Sequence, residues 1–373
     1  MTFTEKLSRT ESRLRPAVSK LPPSVTAAVY SYGRKFFLNR LINDKPGINF
    51  TAPQEFNLKL WELNFGNCLF NAAGMFKSGK GYEIVYAQGA GAFLAGTTTA
   101  MPREGNIKKH ILHPFMPLPR SGAALNWMGL PNAGHAETAR LLSKVGHKKL
   151  CPIGASISAD PIDNFDAKMI GVIEGLELYN KAAVCFIELN ESCPNVPHGS
   201  SAKNSSGLDE NLVKRLSYIS EKFLKKRQNN YPVTVKFSND TNPEQIPALI
   251  DLLTDLEFDG INLGNTSVKY EIHKNDIDSK ELKPYRYFID NFGGGISGAP
   301  LKDISLELAA VAAHYLSTIS AGREFHVIRT GGIDSPEDLQ ISRKAGISLN
   351  QWFTGYFENF ARHGHRLYEV ILS

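Results

Sequence analysis

The densest group of chemically useful side chains lies in residues 188–195, which read ELNESCPN. This segment places a thiol, Cys193, beside two amides, Asn190 and Asn195, directly after an apolar run. A thiol titrates near about 8.5 and can act as a general base once it is partly ionised. The alternative is that Cys193 is a small buried apolar residue, the usual fate of a free cysteine. Its polar neighbours and its place at the end of the run weigh against that alternative.

Glycine-rich segments and one lysine indicate a place for an anionic ligand. The pair Gly331 and Gly332 follows one apolar run, and Phe353 and Thr354 follow the next. Glycine lets backbone N–H groups approach a phosphate closely, although a lone Gly-Gly pair is more simply a turn. Lys236 ends another apolar run, where an unpaired buried ammonium would be costly, so a ligand is a better explanation than a surface position.

Eight apolar runs alternate with eight helical patterns and must position these side chains. The strand-like runs lie at 69–73, 92–97, 153–158, 184–190, 233–237, 260–263, 326–329 and 349–353. The helical patterns lie at 79–88, 136–145, 163–180, 210–227, 243–256, 304–320, 336–345 and 356–371. Buried strands that alternate with amphipathic helices are typical of parallel βαβ units. Eight units in succession favour an α/β fold, the (β/α)8 TIM barrel, over an open doubly wound sheet.

Two crossovers are long, 98–134 and 264–301, and both follow strand ends on the face where barrel active sites lie. Residues 196–209 are rich in Gly, Ser and Asn and are expected to form either a lid or an ordinary surface loop. Four cysteines without metal-ligand spacing indicate neither a zinc site nor a disulfide framework. No apolar run reaches transmembrane length and no secretory signal is evident, so a cytoplasmic location is expected.

The positive charge is confined to an N-terminal arm. Residues 1–45 contain nine Lys or Arg and three acidic residues, so their net charge is +6. Because the net charge of the whole chain is +5, residues 46–373 carry a net charge of −1. A nearly neutral body argues against a nucleic-acid surface. We expect a helical arm over 1–50 and a barrel over 51–373, with a basic amphipathic helix at 24–42 capped by Ser24. Such a helix either contacts an anionic membrane surface peripherally, at the inner face of the cell membrane, or packs across the base of the barrel.

The segment NESCPN (190–195) resembles the active-site signature of dihydroorotate dehydrogenases, in the form used by the class with a cysteine base. The resemblance extends over roughly residues 64–360. It includes NAAGMFK (71–77), GTTT (96–99), REGN (103–106), NWMGLPN (126–132), VKF (235–237), GNT (264–266), GGGISGAPL (293–301), TGGID (330–334) and FTG (353–355). One such segment is weak, but all of them in order are specific.

The resemblance implies oxidation of dihydroorotate to orotate in pyrimidine biosynthesis, with FMN as cofactor and Cys193 as base. The residues implied in substrate binding are Lys77, Asn126, Met128, Gly129, Leu130, Asn190, Asn195, Asn265 and Thr266. Those implied in cofactor binding are Ala72, Ala73, Gly74, Gly96, Thr97, Ser156, Asn190, Lys236, Gly264, Ser297, Gly298, Gly331, Gly332, Phe353 and Thr354. No metal is implied.

The sequence mixes two classes of this family. Its cysteine base is typical of soluble class 1 enzymes, whose strand-two lysine is replaced here by Gly96. Lys77 stands instead at the class 2 position, and Ser156 stands where many class 2 members have asparagine. The arm also resembles class 2, which favours a quinone as electron acceptor over fumarate or another soluble oxidant. Two further alternatives are a dihydropyrimidine dehydrogenase-like and a tRNA-dihydrouridine synthase-like flavin enzyme.

Overall fold

The barrel strands form where apolar and β-branched residues are buried on both faces, as a parallel sheet requires. A computed structural model describes residues 1–161, 164–182, 184–191, 207–227 and 231–373. Within them the strands are β1 (Leu58–Leu60), β2 (Leu63–Phe65), β3 (Leu69–Asn71), β4 (Phe93–Thr98), β5 (Ile107–Lys108), β6 (Ile111–Leu112), β7 (Phe115–Leu118), β8 (Ala123–Asn126), β9 (Ile153–Ile157), β10 (Phe186–Asn190), β11 (Val233–Phe237), β12 (Gly260–Leu263), β13 (Gly295–Gly298), β14 (His326–Thr330) and β15 (Leu349–Trp352).

The helices of the described residues cover the outside of the sheet and form the arm. They are α1 (Phe3–Val18), α2 (Pro23–Leu41), α3 (Tyr82–Gln88), α4 (His135–Leu142), α5 (Phe165–Lys181), α6 (Glu210–Lys222), α7 (Ile246–Asp255), α8 (Tyr270–His273), α9 (Leu282–Asn291), α10 (Lys302–Thr318), α11 (Pro336–Lys344), α12 (Thr354–His363) and α13 (Leu367–Ile371). The single helix expected at 356–371 is two helices, because Gly364 takes a φ of 61° and ends the first. None of the described helices is long and apolar enough to cross a membrane.

Eight parallel strands form the barrel in the order β3-β15-β14-β12-β11-β10-β9-β4. Between β3 and β4, the Asn71 side chain replaces part of the ladder: its Nδ2 donates to the Leu94 carbonyl at 2.7 Å. The Leu94 amide donates back to Asn71 Oδ1 at 3.2 Å, and the Gly74 amide donates to the Gly96 carbonyl at 2.7 Å. These bonds close the ring, and the predicted (β/α)8 TIM barrel with N-terminal helices is confirmed.

The two long crossovers join each other at the mouth of the barrel. β7 and β8 from the first and β13 from the second form an antiparallel sheet in the order β13-β8-β7. The register pairs Asn126 with both Gly295 and Phe115. Segments that are far apart along the chain therefore form one rigid wall above the strand ends.

The arm packs on this wall and on the last barrel helix. α2 lies against β7, β6 and α9, and α1 lies against α12, so the arm helix 24–42 lies beside the mouth rather than across the base. The Phe115 amide donates to Ser31 Oγ at 2.9 Å, and Arg15 forms an ion pair with Glu358 of α12. The expected Ser24 cap is wrong: α2 begins at Pro23, whose fixed φ suits a first turn, and no side chain caps it.

Candidate active site

One cavity lies above the carboxyl ends of the barrel strands, between the antiparallel sheet and α2. It brings together most of the residues that the sequence singles out. Those that line it are Ala72, Ala73, Gly74, Lys77, Thr97, Asn126, Met128, Leu130, Asn190, Lys236, Asn265, Thr266, Ser297, Gly298, Gly331, Gly332, Phe353 and Thr354. They come from nearly every strand end of the barrel, which is how this fold assembles a site.

Four of the expected residues are placed just outside the cavity lining. Gly264 and Gly96 allow close backbone packing, since an added Cβ would lie 1.6 Å from the Thr330 carbonyl oxygen and 2.4 Å from that of Ser156. Ser156 does not line the cavity, but its Oγ lies 2.9 Å from Oγ1 of Thr97, which does. Gly129 has a φ of +72°, and a Cβ there would lie 2.2 Å from Asn106 Oδ1. Cys193 and Asn195 lie outside the described residues, as does the loop 196–206.

One end of the cavity has the donors that a phosphate needs. Gly298, Gly331 and Gly332 all have positive φ and present backbone there without side chains. Ser297 Oγ lies 3.0 Å from Thr354 Oγ1, and Thr354 is the first residue of the ten-residue helix α12. Hydroxyls and amides at a helix N-terminus carry the partial positive charge that binds phosphate. This donor set fits the phosphate of a flavin mononucleotide.

The middle of the cavity is occupied by Lys236, which is fully enclosed in the barrel. Its Nζ donates to Gln351 Oε1 at 3.0 Å and lies 3.5 Å from Glu188 Oε1. Glu188 Oε2 also accepts hydrogen bonds of 2.7 Å from Asn262 and Gln351. Burial lowers the pKa of Lys236, and the Glu188 carboxylate opposes that shift. The network holds one ammonium in a fixed position in the cavity lining.

The neighbouring strands β4, β9 and β10 orient an amide. Asn190 Nδ2 donates to Thr97 Oγ1 at 3.2 Å, and the Asn190 carbonyl accepts from Ser158 Oγ at 3.2 Å. Because Thr97 Oγ1 also bonds to Ser156, the Asn190 side chain is held by a chain of two hydroxyl groups. An amide held in this way can recognise a ring that offers both donors and acceptors.

A second polar wall comes from the loop after β12. The Thr266 amide donates to Asn265 Oδ1 at 2.8 Å, and Asn239 Nδ2 donates to the Asn265 carbonyl. Thr266 Oγ1 is buried and has no hydrogen-bond partner among the described residues. A buried hydroxyl without a partner costs free energy, so its place in the cavity lining points to a ligand. Across the cavity, Asn126 Nδ2 donates to the Gly295 carbonyl at 3.4 Å.

Sequence reasoning missed the residues that close the cavity from the arm side. Arg34 of α2 lines the cavity together with Phe115 of β7. Arg34 Nη2 lies 3.3 Å from Met128 Sδ, and its Cζ lies 5.9 Å from the Phe115 ring centroid. No spacing pattern could have found Arg34, because only the packing of the arm on the antiparallel sheet brings it to the site.

A family model described as dihydroorotate dehydrogenase matches residues 56–367. The chain belongs to the dihydroorotate dehydrogenase family. A curated relative, dihydroorotate dehydrogenase (quinone) of Trichodesmium erythraeum, is 31% identical over 299 residues, which cover 79% of this chain and 73% of that protein. The enzyme of the same name from Parvibaculum lavamentivorans is 30% identical over 308 residues, covering 81% of this chain and 78% of the relative.

Solved structures agree with the fold. The ferulenol complex of the Eimeria tenella enzyme superposes with a TM-score of 0.73 and 18% identity, covering 91% of this chain and 89% of that one. The ligand-free form of the same enzyme also gives 0.73, with 20% identity and 92% of each chain covered.

Membership of the dihydroorotate dehydrogenase family makes the chain an oxidoreductase that acts on dihydroorotate, and a flavoprotein. The predicted activity is therefore confirmed, and it is favoured over the dihydropyrimidine dehydrogenase-like and tRNA-dihydrouridine synthase-like alternatives. The family match begins at residue 56, after both helices of the arm.

Proposed function

We propose that this dihydroorotate dehydrogenase uses FMN as its flavin, Cys193 as its base and a quinone as its electron acceptor. The observation that supports this best is the single cavity in which a phosphate-type donor set, a buried lysine and an amide cluster meet. In the overall reaction dihydroorotate gives up two electrons and two protons, and the quinone takes up both to become a hydroquinone. The relatives from Trichodesmium erythraeum and Parvibaculum lavamentivorans carry quinone in their names.

The cofactor half of the cavity would hold FMN along its length. Ser297, Gly298, Gly331, Gly332 and Thr354 would bind the phosphate, and Ala72, Ala73 and Gly74 would form a flat floor. Lys236, whose ammonium is held by Gln351 and Glu188, would donate to the ring edge that becomes negative on reduction. FMN, when bound, supplies the ring nitrogen that accepts a hydride.

The pyrimidine half would orient dihydroorotate over that floor. Asn126, Asn190, Asn195 and Asn265 would bond the ring amides, with Thr266 and the backbone of 128–130 completing the shell. Lys77 would pair with the substrate carboxylate. It would take the role of the class 1 lysine at the end of strand two, where this chain has Gly96. Cys193, partly as thiolate, would remove the proton from C5 while the hydride leaves C6.

The test is anaerobic flavin reduction by the purified protein. We expect a yellow protein with about one FMN per chain, whose absorbance dihydroorotate bleaches and uracil or dihydrouracil does not. A protein that takes up no FMN on reconstitution, or that dihydrouracil bleaches equally well, would refute the assignment. Steady-state turnover with a quinone and with fumarate then distinguishes the two acceptors.

A peripheral membrane contact is part of this proposal and rests on the outer face of α2. Val25, Val29, Tyr32 and Phe36 are spaced four, three and four residues apart, and all are exposed along one stripe. The β5–β6 hairpin continues the stripe, because Tyr32 Oη donates to the His110 carbonyl at 2.8 Å. The stripe includes exposed Ile107, and Arg40, Lys108 and Lys109 supply positive charge beside it. Apolar and basic groups on one face favour an anionic bilayer surface.

The membrane contact can be tested with charge substitutions on that stripe. Val29→Glu with Phe36→Glu should reduce co-sedimentation with vesicles that contain anionic lipid by about tenfold or more, because both remove apolar contact and add repulsion. Ile170→Glu is the matched control, since Ile170 is an equally exposed apolar residue on α5. Equal loss in the control, or none in the double variant, would place the contact elsewhere.

A further inference from the structure

Arg34 is a half-buried cation in the cavity lining that the proposed reaction does not use. Arg34 comes from the arm, whereas the other residues that line the cavity come from the barrel and its crossovers. Its Nε is shielded from solvent and has no hydrogen-bond partner among the described residues. An N–H donor that is shielded from water and has no acceptor is costly unless a ligand supplies one.

The surroundings hold Arg34 in place without neutralising it. The Met128 sulfur at 3.3 Å and the Phe115 ring at 5.9 Å are soft, uncharged neighbours. Among the described residues no carboxylate forms an ion pair with Arg34. Burial lowers the pKa of Arg34 to about 10, so the guanidinium keeps its charge at neutral pH. The planar, charged guanidinium of Arg34 is therefore held in position at the cavity wall.

The position of Arg34 along the chain separates it from the pyrimidine half-reaction. The family match starts at residue 56 and contains every residue proposed for FMN and dihydroorotate, including Lys77 for the carboxylate. Arg34 lies in α2, outside that match, on the element that closes the cavity from the arm side. A cation that α2 adds to the cavity would therefore act on the second substrate, the electron acceptor, which reacts after the flavin is reduced.

We infer that Arg34 selects an acceptor whose redox ring carries an anionic oxygen next to a carbonyl, as an ionised hydroxyquinone does. This inference rests on the proposed function and narrows its acceptor class. Two adjacent oxygens match the guanidinium fork in a bidentate pair, and the charge–charge contact is strengthened by the enclosed setting. A neutral quinone offers one weakly accepting oxygen to the same fork. On reduction the acceptor still gains two electrons and two protons.

The test compares 2-hydroxy-1,4-naphthoquinone, an anion at neutral pH, with 1,4-naphthoquinone. The readout is the ratio of the two kcat/KM values, which removes effects common to both quinones. Arg34→Met should lower this ratio by about tenfold or more, because one charged hydrogen-bonded contact is lost. Lys35→Met is the matched control: it removes the same charge from the next residue of α2, on its exposed side, and should keep the wild-type ratio.

Two results would overturn the inference. One is an unchanged ratio in Arg34→Met while its melting temperature and FMN content match the wild type. The other is a loss confined to dihydroorotate, seen as slower anaerobic bleaching of the flavin, which would assign Arg34 to the pyrimidine. Failure of the proposed function is separate, since wild-type protein would then take up no FMN, or would turn over with fumarate and with neither naphthoquinone.

Discussion

In the proposed mechanism, proton transfer would depend on one thiol, Cys193. Cys193→Ala should retain FMN and orotate binding yet slow anaerobic flavin reduction by roughly 10²–10⁴-fold, the usual effect of losing a general base. Stopped-flow absorbance with dihydroorotate measures the rate. Cys185→Ala is the control, because Cys185 precedes the same strand at its other end. Flavin reduction at the wild-type rate in Cys193→Ala would show that another group takes the proton.

In the proposed site, recognition of the substrate carboxylate would depend on Lys77. Lys77→Ala should weaken orotate by about 1.5–3 kcal/mol, the range for one charged hydrogen bond, and leave FMN affinity nearly unchanged. Titration of the oxidised flavin spectrum with orotate gives the dissociation constant. Lys80→Ala removes an exposed lysine from the same segment and should have no effect. Wild-type orotate affinity in Lys77→Ala would mean that the carboxylate is held elsewhere.

Individual residues were predictable where their position followed from strand periodicity. Lys236 was placed at the barrel mouth because it ends an apolar run, and it lines the cavity. Its partner Glu188 lies in the quoted motif, yet the pairing depends on the register that sets Asn190 opposite Lys236 on neighbouring strands. Arg34 could not be predicted, because it lies far from the other site residues along the chain and no local sequence pattern marks it.

At the scale of elements, the loop that carries Gly331 and Gly332 is held by the start of α11. Ser335 caps that helix in a capping box with Asp338, and Lys302 lies 3.1 Å from the same carboxylate. Ser335→Ala should therefore lower the free energy of unfolding by about 1 kcal/mol, as loss of a helix cap does. Urea denaturation measures this change. Ser317→Ala, at an exposed serine near the end of α10, should stay close to the wild type.

The Asp338 carboxylate should make the free energy of unfolding depend on pH. Although burial raises the pKa of Asp338, the backbone bond from Asp334 and the Lys302 ammonium lower it below its usual value. A depressed pKa stabilises the fold above the unfolded value of about 3.9 and loses that effect as pH falls through the folded value. Asp338→Asn should thus be less stable than wild type at about pH 7, and the difference should shrink toward about pH 3. A constant difference would exclude Asp338 as the source.

The barrel strands were predictable because parallel strands buried on both faces leave continuous apolar runs. β11 and β12 begin and end where the pattern placed them, and the other barrel strands differ by one or two residues. The bounds of α1 within the expected helical arm, and the short strands of the first crossover, were not predicted. Their residues are mixed in polarity, and they are ordered by contacts with distant elements such as α12 and β13.

At the scale of the whole molecule, the arm is joined to the barrel at two separate places. α1 is tied to α12 by the Arg15–Glu358 ion pair, and Asp44 accepts a hydrogen bond from His365 at 3.2 Å. α2 is tied to the antiparallel sheet through Ser31 and buries Ala27 and Leu41. Residues 1–45 therefore close the mouth of the cavity without contributing a strand to the barrel.

Deleting residues 1–45 should separate the two half-reactions. Every residue proposed for the pyrimidine and the flavin stays, so dihydroorotate should still bleach the flavin as long as circular dichroism and FMN content show a folded barrel. Quinone turnover and binding to anionic vesicles should both be lost, because Arg34 and the exposed stripe of α2 are gone. Full-length protein that ignores quinones but turns over with fumarate would contradict this role of the arm. Vesicle binding that survives the deletion would contradict it as well, since the remaining chain carries a net charge near −1 and has no basic arm.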